Sequence, residues 1–533
     1  MTGTSLEAMN GKVVVFLRTS SVARLPLYRR LRSLNVTLVL VHPFTPLPEF
    51  DGVFSHWLKH ETSDVDEVHL ALSAFLASCG LVPDAVVSFD EYAVYQAAVI
   101  AARLNLTPIP LPPAAVLQNN LKDMFRLFCS EHGIPSPKSV PLPVAAVLPT
   151  PGEVNNCASD ADALSMAFEK ARPALVKAIS KTLEAEALAF PVVLKPSPGA
   201  GSLLTRLCPT LHDAVEHVWS MWTVLAGHPV TRNFAALTNS AAAGPVLEGG
   251  AAAVQILAEE FIEGQEVDMD CVIEHGVVRF CSISDNFEPS PPYFAEVGGV
   301  CPSALGHCGQ CALRELLDSY VSAHGAHLHG VIHFEAKYDP ARQRAYVIEV
   351  NCRPGSAETS VMIQTVYRGL NLGEALVRCA LQIPIQEQLA GLFPELLAGQ
   401  QEGGVEMPWQ KATPSRHPEA DANERIPNSA ARTAVWSLLG GPSHGFFPPQ
   451  CWAASVNIYP KQDGVLSKVR VPVEDASLVA FSVSARPGDA VAPPPKQFYM
   501  ICWMVVQGTT EGEAKDNIRR VTDTFEQKVT LPL

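Results

Sequence analysis

Residues 331–353, VIHFEAKYDPARQRAYVIEVNCR, constrain this chain more than any other stretch, because their period of two leaves little besides a β-ribbon. Side chains alternate along a strand, so His333, Glu335 and Lys337 share one face while Ile332, Phe334 and Ala336 share the other. Asp339, Pro340 and Ala341 supply turn chemistry. In the return strand Val347, Glu349, Asn351 and Arg353 are expected to face opposite to Ile348, Val350 and Cys352. The ribbon then has an apolar back and a front carrying two carboxylates, an amide oxygen and an arginine. Hard cations such as Mg²⁺ take oxygen ligands, one or two carboxylates being completed by phosphate oxygens and water. An arginine beside them suits charge that develops on a phosphoryl group in transfer. An edge hairpin with a charged solvent face would show the same alternation.

Two further segments add weight. Residues 191–202, PVVLKPSPGAGS, run the apolar strand Val192–Leu194 into Lys195 and then into Gly199, Ala200, Gly201 and Ser202. Small residues let backbone N–H groups approach phosphate oxygens, and the lysine adds positive charge. The lysine precedes the glycines, so this is not GxxxxGK[ST], and a Gly-rich turn alone is more often only a turn. Residues 254–270, VQILAEEFIEGQEVDMD, end a strand at Glu259-Glu260, pass through Phe261-Ile262 and open a new strand at Glu266. Such a bend can offer backbone groups to an adenine edge, and it can equally be an acidic turn.

Together and in this order the three segments resemble the ATP-grasp superfamily of carboxylate–amine ligases, over roughly residues 115–380. Asn120-Leu121-Lys122, Arg126 and the Gly133-Ile134-Pro135-Ser136-Pro137 turn are similar to that family's entry segment. The resemblance implies that Lys122 and Lys195 hold the phosphates of ATP while Gly199, Ala200, Gly201 and Ser202 close over them. It implies adenine contacts from Glu259 and the backbone of Phe261 and Ile262, and a ribose contact from Glu266. Glu335, Glu349 and Asn351 would ligate two Mg²⁺ ions, with Mn²⁺ able to substitute, and catalytic Arg353 would steady the phosphoryl group. Two departures bear on the acceptor side: Leu203 to Arg206 after the loop, and CysArgProGlySerAlaGlu after Asn351.

Within residues 285–303 the run PPYF-x-E-x-G resembles segments of L-amino-acid ligases and carnosine synthase-like enzymes. That likeness implies a loop lining the cleft, with Glu296 holding a substrate ammonium. His333 shares the face of Glu335 and reads equally as a group that orients a carboxylate or relays a proton, or as a hydrogen-bonded structural histidine. Arg368 reads as a surface arginine before it reads as a substrate contact.

At 533 residues the chain has room for several modules. It is 47% hydrophobic, yet no apolar run approaches the roughly 18 residues of a membrane span. MTGTSLEAMN has neither a basic nor an apolar leader region. A net charge of −15 without a basic stripe argues against nucleic acid. Thirteen scattered cysteines fit reduced thiols and a cytoplasmic location. Cys308 and Cys311, with Cys301 nearby, lack a second CxxC and read as incidental thiols rather than zinc ligands.

Apolar strands at 12–17, 36–41 and 85–89, with a basic helix around 28–34, argue a parallel α/β sheet. The strand ends carry Arg18 to Ser21 and Asp90-Glu91, each of which is either a cap or part of a cleft. With the resemblance, the fold class is α/β and α+β multidomain. A Rossmann-like domain over 1–114 precedes an ATP-grasp domain over 115–398, with its lid at about 186–260 and its core at 261–398. Residues 226–253 read as an insertion and 399–432 as a linker. An α+β segment over 433–533 is expected to pack on the core, with two strands in 451–471 about a turn at Lys461–Gly464, a final strand at 500–506 and a helix over 510–526.

The resemblance implies phosphorylation of a substrate carboxylate by ATP, then attack of an amine on the acyl phosphate, with small-molecule partners and a homodimer. Two other enzymes share that fold: a biotin-dependent or purine-pathway carboxylase, and a ligase acting on a protein tail. A non-catalytic ATP-binding module is the alternative of another class.

Overall fold

The computed structural model describes residues 8–107, 110–150, 152–154, 160–225, 255–289, 291–397, 439–494, 496, 497 and 499–531. The first strands are uniformly apolar because both faces of their sheet are covered. Strands β1 (Val13–Leu17), β2 (Thr37–His42), β3 (His56–Lys59) and β4 (Ala85–Val87) pair in parallel in the order β3-β2-β1-β4. Val14, Phe16, Leu38 and Leu40 pack with the helix Leu25–Ser33, while Val15, Leu17, Val39 and Val41 pack with Val65–Cys79 and Val94–Arg103. The short, half-exposed β3 escapes sequence reading. Arg18 and Asp90-Glu91 lie at the carboxyl ends of β1 and β4, where such sheets meet ligands.

A second sheet is antiparallel: β5 (Ser139–Leu142), β6 (Val192–Ser197), β7 (Arg206–Cys208) and β8 (Gln255–Glu260), in the order β5-β8-β6-β7. The helices Ala161–Ala185 and Leu211–Leu225 close its apolar face. It therefore starts well before residue 186, because β5 closes the free edge of β8.

Eight strands make the central sheet. In chain order the remaining strands are β9 (Gln265–Glu274), β10 (Val277–Asn286), β11 (Gly298–Cys301), β12 (Gly330–Asp339), β13 (Arg344–Asn351), β14 (Trp452–Ile458), β15 (Gly464–Arg470), β16 (Leu478–Val483), β17 (Ala490–Val491), β18 (Cys502–Gly508) and β19 (Glu526–Thr530). The sheet order is β13-β12-β9-β10-β11-β14-β18-β16. The C-terminal strands thus extend the core sheet through the β11–β14 ladder. The two strands in 451–471 are present but are not partners, since β15 pairs with β17 and β19 in a separate three-stranded sheet. The strand expected to be last, β18, is followed by the helix Glu511–Thr524 and β19. The regions 226–253 and 399–432 lie outside the described residues.

The expected ribbon is β12–β13, with one correction. Glu335 pairs with Glu349 but Ala336 pairs with Val347, so Ile348 is an extra, bulged residue. Val347 consequently joins the core, and Ile348 lines the cleft. Among the described residues no helix is long and apolar enough to cross a membrane.

Candidate active site

The leading sheet, the antiparallel lid sheet and the ribbon meet around a cleft of ≈ 350 Å³. Two of its lysines are held by carboxylates. Lys122 opens the helix Lys122–Glu131; its Nζ donates to the Gly199 carbonyl at 2.8 Å and pairs with Glu349 at 2.9 Å. Lys195, in β6, pairs with Glu259 at 2.6 Å. Arg126 donates to both oxygens of Glu259, at 2.8 and 3.1 Å, and to the carbonyl freed by the bulge at Ile348, at 2.7 Å. Burial pushes the Glu259 carboxyl up, but Arg126 and Lys195 outweigh it and hold it at about 2. Glu259 thus lines the cleft while paired with two cations.

The bend after β8 brings Phe261, Ile262 and Glu266 to the cleft, which Gly199, Ala200, Gly201 and Ser202 also line. Lys337 braces the bend, donating to the Ile262 carbonyl at 3.1 Å with its Nζ 5.0 Å from the Phe261 ring centroid and 3.7 Å from Glu266. Gly264 turns with φ +107°, and a Cβ there would lie 2.0 Å from the Tyr338 carbonyl oxygen.

On the sheet face, register does the assembly. Glu335 lies between Glu349 on β13 and Asp268 on β9, and His333 between Asn351 and Asp270. Asn351 Nδ2 donates to Glu335 Oε1 at 3.0 Å. Burial and then Glu349 hold the Glu335 carboxyl well above the usual range, whereas Lys122 and Lys195 overcome burial to hold Glu349 below it. Two facing carboxylates that cannot both ionise cheaply, with an amide beside them, fit the donor set of an open Mg²⁺ site. Among the described residues no three His, Cys, Asp or Glu converge as a complete metal cage.

His333 sits 3.2 Å from Asp270, 3.6 Å from Glu335 and 3.9 Å from Asp268. Burial opposes its charge, yet Asp270 and Asp268 push its pKa up to about 10, so it is an imidazolium that holds the acids in place. Asp270 also accepts from the Gly355 N–H at 2.9 Å, and a Cβ on Gly355 would lie 2.7 Å from both Asp270 and His333. Asp268 and Asp270 were not singled out from the sequence, although the alternation of Glu266, Asp268 and Asp270 with Val267 and Met269 was there to read.

Arg353 pairs with Glu91 at 2.7 Å and donates to the Pro354 carbonyl at 3.0 Å. Asp90, by contrast, caps the Tyr92 N–H at 2.9 Å and faces Arg18 at 3.5 Å. Glu296 stands on the loop whose Tyr293 bridges Arg206 of the lid and whose Pro292 carbonyl accepts from the Leu207 N–H at 2.8 Å. Solvent reaches the side chain, but desolvation by the crowded wall, then Glu358 and Asp268, raise its pKa to about 7. Asn457 of β14 donates to the Glu296 carbonyl at 3.2 Å and to Glu358 at 3.3 Å, a link no local signal announces. Arg368 is away from the site, at the Leu392 carbonyl (3.1 Å) and Glu395 (2.5 Å). No disulfide joins the described cysteines, and Cys311 Sγ lies 3.4 Å from His307.

Residues 188–360 match the ATP-grasp domain model, and the chain carries that domain and its fold. Carnosine synthase 1 of Gallus gallus is 30% identical over 220 residues, which are 39% of this chain and only 21% of that protein's length. The L-amino acid ligase from Bacillus licheniformis superposes with a TM-score of 0.65 at 16% identity, covering 98% of this chain and 99% of that one. The biotin carboxylase domain of Hydrogenobacter thermophilus 2-oxoglutarate carboxylase, solved with MgADP, ADP and bicarbonate, gives a TM-score of 0.56 at 14% identity, covering 97% and 90%. At these identities the two structural likenesses are likenesses of fold.

Proposed function

We propose that the protein is an ATP-dependent ligase that joins an amino acid or similar small carboxylate to an amine. The observation that carries this reading is the composition of the recess beside the phosphate-facing cleft. Glu266, Asp268, Glu296, Glu335 and Glu358 line it, and among the described residues His333 is its sole basic side chain, with no Lys or Arg. A substrate ammonium gains from such a wall, and an anion such as bicarbonate does not.

In this reading Lys122 and Lys195 hold ATP phosphates, the backbone at Phe261 and Ile262 meets adenine, and Glu266 meets the ribose. Glu335, Glu349 and Asn351 hold Mg²⁺, which when bound supplies positive charge against the phosphates. Arg353, kept in place by Glu91, faces the transferred group. A carboxylate oxygen of the substrate attacks the γ-phosphorus and ADP leaves. The amine then attacks the acyl carbon, phosphate leaves with the C–O electron pair, and the new amide nitrogen gives up its proton to that phosphate. Glu296 orients the ammonium of the activated substrate. The lid contact through Tyr293 and Arg206 supports closure that keeps water from the acyl phosphate. The lack of disulfides among the described cysteines supports a reducing, cytoplasmic location.

The test is phosphate release from Mg-ATP across a grid of amino-acid pairs, with Glu349→Gln as the blank and mass spectrometry on the positives. Release that needs two substrates and yields their condensed product supports the ligase. Release with bicarbonate alone moves the protein to the carboxylases.

A further inference from the structure

Each of four other cations that line the cleft already has a carboxylate: Lys122 has Glu349, Lys195 has Glu259, Lys337 has Glu266 and Arg353 has Glu91. Arg24 has none. It ends a 3₁₀ turn, Val22–Arg24, between β1 and the helix Leu25–Ser33, and is only 5% exposed while lining the cleft. Its Nη1 has no hydrogen-bond partner, its Nη2 reaches only the Pro354 carbonyl at 3.4 Å, and no carboxylate among the described residues lies within 4.0 Å of it. Burial, and then the charge of Arg353, lower its pKa to about 10 against the pull of Tyr28, Glu358 and Asp90. A buried guanidinium without an anion is costly to keep, and its planar fork matches a carboxylate.

We propose that Arg24 binds the unreacted carboxylate of the amine-bearing substrate, which makes that substrate a free amino acid; this rests on the ligase reading above. A phosphate oxygen would offer similar chemistry. Position favours the carboxylate. Lys122 is tied to the Gly199 loop, whereas Arg24 borders Pro354 at the start of the segment leading to Ser356 and Glu358. Ser356 lines both the nucleotide cleft and the acidic recess, so Arg24 flanks the passage between them. The two substrates are then read by opposite charges: Glu296 takes the ammonium of the acid that is activated, and Arg24 the carboxylate of the amine that attacks.

The experiment compares wild type, Arg24→Gln and Arg24→Lys, using each productive amino acid and its carboxamide as the amine. Wild type should prefer the acid. Arg24→Gln should raise KM for the acid about 10- to 100-fold, remove the preference over the amide, and leave displacement of fluorescent ADP unchanged. Arg24→Lys should restore part of the preference. Retention of the acid preference in Arg24→Gln overturns the proposal, and so does weakened ADP binding with that preference intact, which would assign the anion to the nucleotide. The free Arg24→Gln protein should melt no lower than wild type, because an unpaired charge has been removed; a drop of several degrees would make Arg24 a structural residue and overturn the proposal. Should wild type turn over no pair at all, the ligase reading fails by itself. Arg24 is then judged by melting alone: amino acids, but not their amides, must stabilise wild type and not Arg24→Gln, and the absence of that difference overturns it.

Discussion

Arg353 Nε stands 2.7 Å from the carboxylate of Glu91, so the arginine that follows β13 is held by the leading α/β sheet and not by its own ribbon. Burial pushes Glu91 above the usual carboxylate range while Arg353 pulls it back, and Glu91 in turn raises Arg353. Removing one member leaves a largely desolvated charge. Glu91→Gln is therefore expected to cost about 3 kcal/mol in urea unfolding and to lower kcat at least tenfold, with KM for ATP little changed. A double-mutant cycle with Arg353→Met checks the coupling. Equal losses from Glu91→Gln in both backgrounds would sink the pairing.

Glu259 is the counter-ion of two cleft cations and is 2% exposed. Its folded pKa, about 2, lies below an unfolded value near 4.3. The stability it contributes is thus fully present above about pH 5 and is lost as pH falls through 4.3 toward 2, amounting to about 3 kcal/mol. Glu259→Gln should lower stability at pH 7 by about 3–5 kcal/mol, flatten the acid limb of the stability curve, and weaken ATP binding by loosening Lys195. An unchanged acid limb would show that Glu259 does not carry the effect.

Glu335 and Glu349 face one another across β12 and β13, so without a metal the two strands carry a like-charge conflict. Glu335→Gln should raise the melting temperature of the protein in EDTA by a few degrees at pH 8. It should also abolish the further stabilisation that Mg²⁺ with ADP gives wild type. Scanning fluorimetry with and without the metal reads both effects. A lower melting temperature in EDTA would show Glu335 to be structural.

Gly355 leaves no room for a side chain between Asp270 and His333. Gly355→Ala should separate that pair and disturb the face that carries Glu335, reducing kcat more than about tenfold with little loss of ADP affinity. Wild-type kcat in this variant would mean that the His333–Asp270 contact is dispensable.

Much of this site was legible from periodicity and order along the chain. Alternation placed His333, Glu335, Glu349 and Asn351 on one face, since a strand's period is fixed by its pleat. The bulge at Ile348 was not legible, because one extra residue leaves the composition of a strand unchanged while inverting the face of what precedes it. The pairing of Glu259 with Arg126 was not legible, because Arg126 lies 133 residues upstream. The Lys461–Gly464 turn announced a reversal without saying which strand would pair, and β14 and β15 went to different sheets. Arg24, Glu358 and Asn457 carry no local motif, and only tertiary packing brings them to the cleft.

Glu296 offers the sharpest test by pH. Its pKa is raised to about 7 by desolvation in the crowded wall and by Glu358 and Asp268. For stability the sign is unfavourable above that value: a raised carboxyl favours the folded state at low pH, and that contribution fades as pH rises through 7. Water reaches the side chain, which screens this term and keeps it small. For binding the sign is the reverse, since only the ionised carboxylate attracts an ammonium. KM for the activated amino acid should therefore fall close to tenfold per unit from about pH 5.5 to 7 and level off above, while the substrate amine stays protonated. Glu296→Gln should show a high KM with no inflection near 7, and its acid des-amino analogue should bind wild type and variant alike. An inflection that persists in Glu296→Gln would assign the titration to another group and remove Glu296 from substrate recognition.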